Sequence, residues 1–380
     1  MESGTVVVIG AGIIGTSIAY YLARAGIDVT LIDRRGPLSS GTASQACAGG
    51  VRHQGRAACE IPLAIHSIDL WATLEEELDA DIGYRRNGMT VVTDDASMVP
   101  FLKRRVSVEQ SIGLDVRMIY NSDLHDLVPG LSPPIFAGSF CPLDGQANPL
   151  RTISTLTTCA ARLGVRFKWN CPAEHLVVNR KKIVSVKTSK GEIFCRYAIL
   201  AAGAWSGAIA ATAGLNLPID PFGLQMMVTV RRRKALDQVL GWAGHGISLK
   251  QSRSGGFIIG GGWPGYSNPG TYVTRLYPGS MAKSAKTAVD LFPNLGLVPV
   301  IRAWVGIEAF CKDELQILSL IPDIDGLILA TGFSGHGFAL GPGVGSLLAE
   351  YLTTGKWPEM LAPFAISRFK KASRRIDNDR

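Results

Sequence analysis

Paired cysteines, dense charge and long unbroken apolar runs are all scarce in this sequence, and each shortage excludes something. The longest apolar stretch lies near the start, where glycines interrupt it too often for a membrane span. No basic and apolar leader with a cleavage site precedes it, so no secretory signal is expected. The seven cysteines, at 47, 59, 141, 159, 171, 195 and 311, include no CxxC pair. An odd, unpatterned set argues against a zinc site or disulfide frame and for reduced thiols in the cytoplasm. Charged residues make up only 18% of the chain against 47% hydrophobic, an ordinary globular balance with a somewhat apolar surface that suggests a partner subunit. The basic clusters Arg231, Arg232, Arg233, Lys234 and Lys370, Lys371, Arg374, Arg375 lack interleaved aromatics. They read as solvated surface, and no nucleic acid is expected. No Ser/His/Asp triad, metal cluster, internal repeat or low-complexity tract stands out.

What is present begins at Val6. Residues 6 to 15 read VVVIGAGIIG, an apolar strand breaking into Gly10, Gly12 and Gly15, with Asp33 closing the next strand at VTLID. This is the spacing of a dinucleotide cradle. The first glycine permits a tight turn, the second lets the backbone approach a pyrophosphate, and the third lets the helix expected over Thr16 to Ala25 pack on the strand. The helix N-terminus turns its partial positive charge toward the phosphates. Asp33 sits where a carboxylate accepts hydrogen bonds from ribose hydroxyls and repels a ribose phosphate. A net charge of +8 is compatible with such an anionic ligand.

At 380 residues the chain has room for two intertwined domains. A loop rich in Ser, Gly and Ala, Ser39 to Gly50, precedes a helix expected over 59 to 79, and from Tyr84 the pattern changes to short strands and a helix, including MTVVT at 89 to 93. A helix over Ala147 to Leu163 and strands at Arg166 to Trp169 and Ile183 to Thr188 lead to YAILAAGAWS at 197 to 206. Residues 222 to 310 are rich in β patterns, with one helical insertion near 280 to 291. GLILATGFSGHGFALGPGVGSLLAEYL, 326 to 352, reads as a buried strand, a glycine-rich loop and a helix.

Taken together, VVVIGAGIIG…LID, YAILAAGAWS and ATGFSGHGFALGPGVG resemble the FAD-dependent D-amino acid oxidase superfamily over nearly the entire chain. The resemblance implies an α/β fold, with α+β character in its second domain. A glutathione-reductase-type Rossmann FAD domain (1-82, 141-221 and 311-370) would be interleaved with a sheet-rich substrate domain (83-140 and 222-310), followed by a flexible tail (371-380). It implies hydride removal from a carbon–nitrogen bond, giving an imine that water hydrolyses. Carried over by position, Gly10, Gly12, Ile13, Ile14 and Gly15 fall on the pyrophosphate, Asp33 on the adenosine ribose and Arg34 at the adenine end. Ser44, Gly49, Gly50, Val51 and Arg52 match a loop that skirts pyrophosphate and flavin. Ala202, Gly203 and Trp205 follow the cofactor-facing strand, and the loop Gly332, Phe333, Ser334, Gly335, His336, Gly337 and Phe338 passes the flavin pyrimidine edge, where N–H donors and the helix dipole stabilise charge on the reduced ring.

Within the superfamily AGGVRHQ, SLKQSRSGGFIIGGG and Trp304 with GFSGHGF look most like catalytic subunits of heteromeric amine dehydrogenases: sarcosine oxidase β, D-hydroxyproline dehydrogenase β and, nearest, the opine oxidase B subunits for octopine or nopaline. That resemblance implies a larger FAD/NAD-type partner subunit, a small iron–sulfur subunit and, in several cases, FMN at a subunit interface. Pro149 stands where sarcosine oxidase β tethers FMN through histidine, so any FMN here is noncovalent, and no residue matches an FAD tether. In WVGIEAFCKD, Glu308 replaces an arginine that grips a substrate carboxylate in glycine oxidase-like members. It is expected either to meet a cationic side chain such as guanidinium or to sit at the pocket edge salt-bridged to Arg302 or Lys312. Ile258 replaces an oxygen-activating lysine, which favours a dehydrogenase.

His53, His336 and Glu308 are the candidate catalytic residues, and His53, His245, Lys250, Arg253 and Glu308 the candidate substrate-binding ones. Arg52 is a candidate for phosphate or substrate carboxylate. His66, His125 and His175 read as ordinary surface or core residues. A self-sufficient glycine or D-amino acid oxidase and a noncatalytic FAD-holding scaffold stand as alternatives.

Overall fold

The computed structural model describes residues 3–369, which leaves the charged tail expected to be flexible outside the described residues. Its framework is two eight-stranded sheets. At the centre of the first, the strand Ser3–Ile9 pairs in parallel with Val29–Ile32 on one side and Gly191–Leu200 on the other. Val6, Val7 and Val8 have no exposed surface, as expected of a β-branched run covered on both faces. Arg166–Lys168 extends the sheet beyond Val29–Ile32, and Ile324–Thr331 joins Gly191–Leu200 on the far side. Strands far apart in sequence therefore end at one edge, where the ligand loops gather.

Two helices brace that edge. Ile13–Arg24 begins directly after Gly12, three residues earlier than the expected Thr16. The closing helix, Gly337–Thr354, packs on it through glycines. A Cβ on Gly341 would lie 2.7 Å from the Ile13 side chain, and one on Gly345 would lie 2.7 Å from the Ser17 carbonyl. Pro342 interrupts the closing helix, because it lacks an N–H and crowds the preceding turn. The helix Ile61–Glu77 repairs the break: Ser67 Oγ and Trp71 Nε1 donate to the Ala339 carbonyl at 2.7 and 2.9 Å, and Gly343 N donates to Ser67 Oγ at 3.0 Å. The start of the closing helix is thereby fixed in the core.

In the second sheet the strands Val300–Cys311, Ile219–Arg231, Gly256–Gly260 and Ile247–Gln251 lie side by side, antiparallel at each step. Side chains alternate between faces, so the register puts Lys250, Ile258, Met226, Trp304 and Glu308 on one face and Leu249, Ile259 and Met227 on the other. The latter three belong to an apolar core with Phe257 and Phe292. The former face turns toward the loop after Thr42: Trp304 Nε1 donates to the Ala46 carbonyl at 2.8 Å, and a Cβ on Gly306 would come within 2.4 Å of the Ala46 methyl. This sheet face and the ends of the first sheet enclose the candidate site.

Candidate active site

A cavity of about 300 Å³ runs from Asp33 to Glu308. Its first end is shaped by glycines. Gly10 has φ +108° and a Cβ there would lie 2.5 Å from the Ala201 carbonyl, while one on Gly15 would lie 1.8 Å from the Gly10 carbonyl. No side chain fits either position, so the strand, turn and helix approach at backbone distance. Asp33 accepts from Ala11 N at 2.8 Å and from Arg35 N and Gly36 N at 2.7 and 2.8 Å, which pins its carboxylate beside the turn. Ser44 Oγ accepts from Ile13 N at 3.0 Å and ties the small-residue loop to the helix N-terminus.

Gly10, Gly12, Ile13, Ile14, Asp33, Arg34, Ser44, Ala202, Gly203, Trp205, Glu308, Gly332, Phe333, Gly335, Gly337 and Phe338 all line the cavity. Ser334 braces its loop from behind: its N donates to the Ala309 carbonyl and its Oγ accepts from Cys311 N, both at 3.0 Å. Gly49 supports the adjoining loop at φ +76°, where a Cβ would lie 2.3 Å from the Ala147 carbonyl. Gly50 and Val51 pair with Gln146 and Gly145.

Glu308 does not meet the expectation of a salt bridge to Arg302 or Lys312 at the pocket edge, whereas its other expected partner, a cationic group of a substrate, lies outside the chain. Among the described residues it forms no salt bridge, and Arg302 lies six residues back along the strand on exposed surface. Its carboxyl receives Ala309 N at 2.9 Å and an N–H from Gly335. Burial outweighs those donors and pushes it up to about 7.

Three further candidates are corrected. His245 sits on the exposed turn after Val239–Trp242, stacked on Trp242 at 3.9 Å and 3.8 Å from Asp94, away from the cavity. Arg253 occupies the next turn, exposed, with its guanidinium 2.7 Å from Asp81. The tight turns that join these strands carry both side chains outward. Arg52 turns onto its own loop and donates to the Gln54 and Gly55 carbonyls at 2.7 and 3.2 Å, where burial lowers it to about 10.

The two other histidines stand behind the cavity wall in a buried polar layer. His53 Nδ1 lies 2.8 Å from Asp144, which also accepts the His53 backbone N–H. His53, Cys141 and Asp144 bring potential ligand atoms within 4.8 Å of one another, but Asp144 is already engaged with the His53 ring and backbone. His336, just before the closing helix, places Nδ1 3.0 Å from Glu60, whose carboxylate also meets Arg56 at 3.1 Å. Burial lowers His336 to about 4 despite Glu60, which keeps its imidazole neutral at neutral pH.

Asp144, Glu60, Arg56 and Tyr272 were not legible as site residues. Tyr272 belongs to the hairpin Tyr266–Asn268 and Val273–Arg275, which reaches over the Asp33 end. Its ring stacks on Trp205 at 4.9 Å and 6°, and the Arg34 guanidinium carbon lies 3.6 Å from the ring centre. A further correction concerns Ile258: Lys250 lies directly opposite it on the same sheet face, so a cation does stand in this region.

A glycine cradle that leaves no room for Cβ atoms, a carboxylate at its rim and a long cleft closed by a helix N-terminus fit an extended dinucleotide. The FAD dependent oxidoreductase family named DAO matches residues 5–351. The chain belongs to this family. It is 28% identical to glycine oxidase of Geobacillus kaustophilus, with 96% of each chain covered. It is 26% identical to the sarcosine oxidase β subunit of an Arthrobacter species over 97% of this chain and 92% of that one. Among solved structures, L-proline dehydrogenase from P. horikoshii superposes with a TM-score of 0.90 at 27% identity, covering 98% of this chain and 99% of that one. The protein is thus an FAD-dependent oxidoreductase, and no helix among the described residues is long and apolar enough to cross a membrane.

Tyr272 then gives a direct prediction. Tyr272→Ala removes a stack and a cation–π contact at the Asp33 end of the cleft, each worth about 1 kcal/mol. FAD should dissociate about tenfold faster on dilution, measured by recovery of flavin fluorescence, with the bound flavin's absorption spectrum unchanged. An unaltered release rate would show that the hairpin does not retain the cofactor.

Proposed function

We propose that this chain is the catalytic subunit of a cytoplasmic amine dehydrogenase that oxidises the C–N bond of an N-substituted amino acid, an opine of the octopine or nopaline type, to an imine. Hydrolysis of the imine gives an amino acid and a 2-oxo acid. The observation that carries this reading is Glu308, a carboxyl in the cavity wall with no cationic partner among the described residues. It disfavours an approaching carboxylate and offers a charged hydrogen bond to a guanidinium or ammonium.

FAD, held noncovalently by Gly10 to Gly15, Asp33, Ser44 and the Gly332 to Phe338 loop, would supply the two-electron acceptor. The residues' task is alignment. The glycine turn fixes the phosphates, the closing helix points its N–H groups at the far end, and Glu308 orients the substrate's cationic group. His336, neutral and held through Nδ1 by Glu60, keeps the loop beside that end in place. His53, held by Asp144, supports the loop after Val51. Electrons would leave through partner subunits, a larger FAD/NAD-type chain and an iron–sulfur chain, with FMN at a subunit interface as one route. The sarcosine oxidase β relative, a named subunit, supports a heteromeric assembly.

The test is anaerobic bleaching of the bound flavin by octopine, nopaline, sarcosine, D-proline and primary D-amino acids. The reading requires fastest bleaching by the opines, and turnover of primary D-amino acids alone would overturn it. Peroxide release by the isolated chain in air would favour a self-sufficient oxidase, and no bleaching by any amine a cofactor-holding scaffold.

A further inference from the structure

Leu297 is 93% exposed, Ile301 64% and Val300 41%, all on one short stretch that leads into the strand Val300–Cys311. The backbone of that stretch is held. Leu295 sits in the apolar core, Val298 N donates to the Leu295 carbonyl at 2.9 Å, and Val230 N donates to the Pro299 carbonyl at 2.9 Å. Ile301 falls at a break in register, between Val300 opposite Thr229 and Arg302 opposite Val228, and a bulge of this kind re-aims a side chain. Leu297 and Ile301 therefore project from a fixed turn. A basic cluster flanks them. The Val230 hydrogen bond sets Arg231 beside the turn, Arg232, Arg233 and Lys234 follow it, and all four are exposed, as is Arg302. Gln251 ties this loop down, its amide donating to the Arg232 and Arg233 carbonyls at 3.3 and 2.9 Å. Among the described residues Lys234 pairs with Asp237, while the four arginines form no ion pair.

We propose that this end of the second sheet docks the protein reversibly on an anionic lipid surface, with Leu297 and Ile301 entering the headgroup boundary and the arginines meeting lipid phosphates. The charge calls for an anionic occupant and disfavours a second copy of this chain, whose arginines would face these. A specific protein interface covers about 800 Å² of each partner with matched shape. A few projecting apolar side chains fall well short of that, and a fluid surface needs no matched shape. Either signal alone binds a membrane weakly, and an apolar insertion joined to a basic patch supplies two. Each cation near such a surface is worth about fivefold in binding. Glu308 lies six residues along the strand from Arg302, about 20 Å away, so docking leaves that cavity wall clear of the lipid. The proposal stands independently of the reaction proposed above.

The test is co-sedimentation of the FAD-loaded protein with unilamellar vesicles of phosphatidylcholine, alone or with about 30% phosphatidylglycerol. Binding should be about tenfold or more tighter to the anionic vesicles and should weaken between about 0.1 and 0.5 M salt. Replacing Arg231, Arg232 and Arg233 together by glutamine should lower it about 100-fold. Leu297→Gln with Ile301→Gln should lower it about tenfold at either salt concentration. These side chains are exposed, so both variants should keep the wild-type Tm and FAD stoichiometry. Lys103→Gln, Arg104→Gln and Lys187→Gln together remove the same charge elsewhere on the surface and should cost less than about threefold. The proposal is overturned if the two vesicles bind equally or if this control loses as much as the arginine variant. It is overturned equally if the Leu297 and Ile301 variant binds as the wild type does, which would reduce docking to net charge. Binding to neither vesicle overturns it too and leaves the patch to a protein partner.

Discussion

Glu308→Gln is expected to lower kcat/KM for a cationic N-substituted amino acid about 100-fold at pH 8, the worth of a charge-assisted hydrogen bond in a desolvated site. The size depends on pH. Burial raises Glu308 to about 7, so the carboxyl is mostly protonated below that pH and ionised above it. Only the ionised form attracts a cation. Wild-type kcat/KM should therefore rise through pH 7 before levelling, whereas the glutamine variant should be flat across that window. Stability runs the other way. The folded state holds a proton that the unfolded chain releases near its ordinary 4.5, so the contribution of Glu308 to stability is most favourable below pH 4.5 and declines until about pH 7. The cofactor-free glutamine variant should lack that decline and melt above the wild type at pH 8. Parallel pH profiles of kcat/KM in the two proteins would remove Glu308 from substrate recognition.

The opposite sense of the two effects is informative. A side chain kept only for packing would not destabilise its own fold at neutral pH. Glu308 lies on a strand whose neighbours Ile307 and Ala309 are well buried, and its backbone pairing with Phe222 would accept leucine as readily. The cost of a carboxyl in that wall is the kind of local conflict that marks a functional position.

The parts of the fold that could be read in the sequence are those where spacing and backbone constraint coincide. Gly10, Gly12, Gly15 and Asp33 announce one turn because few other residues satisfy its distances. The helix expected over 59 to 79 is Ile61–Glu77, and that expected from Ala147 starts at Pro149, since apolar periodicity marks a buried face but not the capping residue. The strand Ala173–Asn179 passed unnoticed: its edge position leaves Glu174 and His175 exposed and weakens the alternation. The glycines of the closing helix were legible as a loop signal, but their packing on Ile13, Ser17 and Ser67 was not.

The candidate site divides along the same line. The residues that line the cavity share loops with diagnostic glycines, so position in sequence sufficed to find most of them. His245 and Arg253 failed because proximity to an apolar strand says nothing about which way a turn projects its side chains. Lys250 differs from Arg253 by three residues, yet one is buried on the inner sheet face and the other pairs with Asp81 at the surface. Asp144 and Glu60 were hidden for another reason: each acts on a histidine distant in sequence, 91 residues from His53 and 276 from His336. Pairing across such separations follows from topology alone.

Glu60→Ala should be the most damaging substitution behind the cavity. Glu60 and Arg56 side chains are about 1% exposed or less, and the carboxylate also meets His336 Nδ1 at 3.0 Å. Burial opposes ionisation of Glu60, but Arg56 and His336 hold it below the usual carboxylate value. Removing it strands a guanidinium in the core, a loss of about 3–5 kcal/mol, and Tm should fall by roughly 5 °C. It also frees His336, one residue before the closing helix, so FAD retention should weaken alongside stability. The pH dependence checks the cause. Because Glu60 titrates lower in the folded state, its stabilisation is present above pH 4.5 and lost as pH falls through the folded value, so wild type and alanine variant should converge in strong acid. Arg56→Met in the Glu60→Leu background removes both charges at similar volume and should recover most of the lost Tm while leaving His336 unheld. If that double variant regains stability but not FAD retention, the ion pair serves the fold and the histidine contact serves the site. If Glu60→Ala melts within 2 °C of wild type, the buried network contributes to neither.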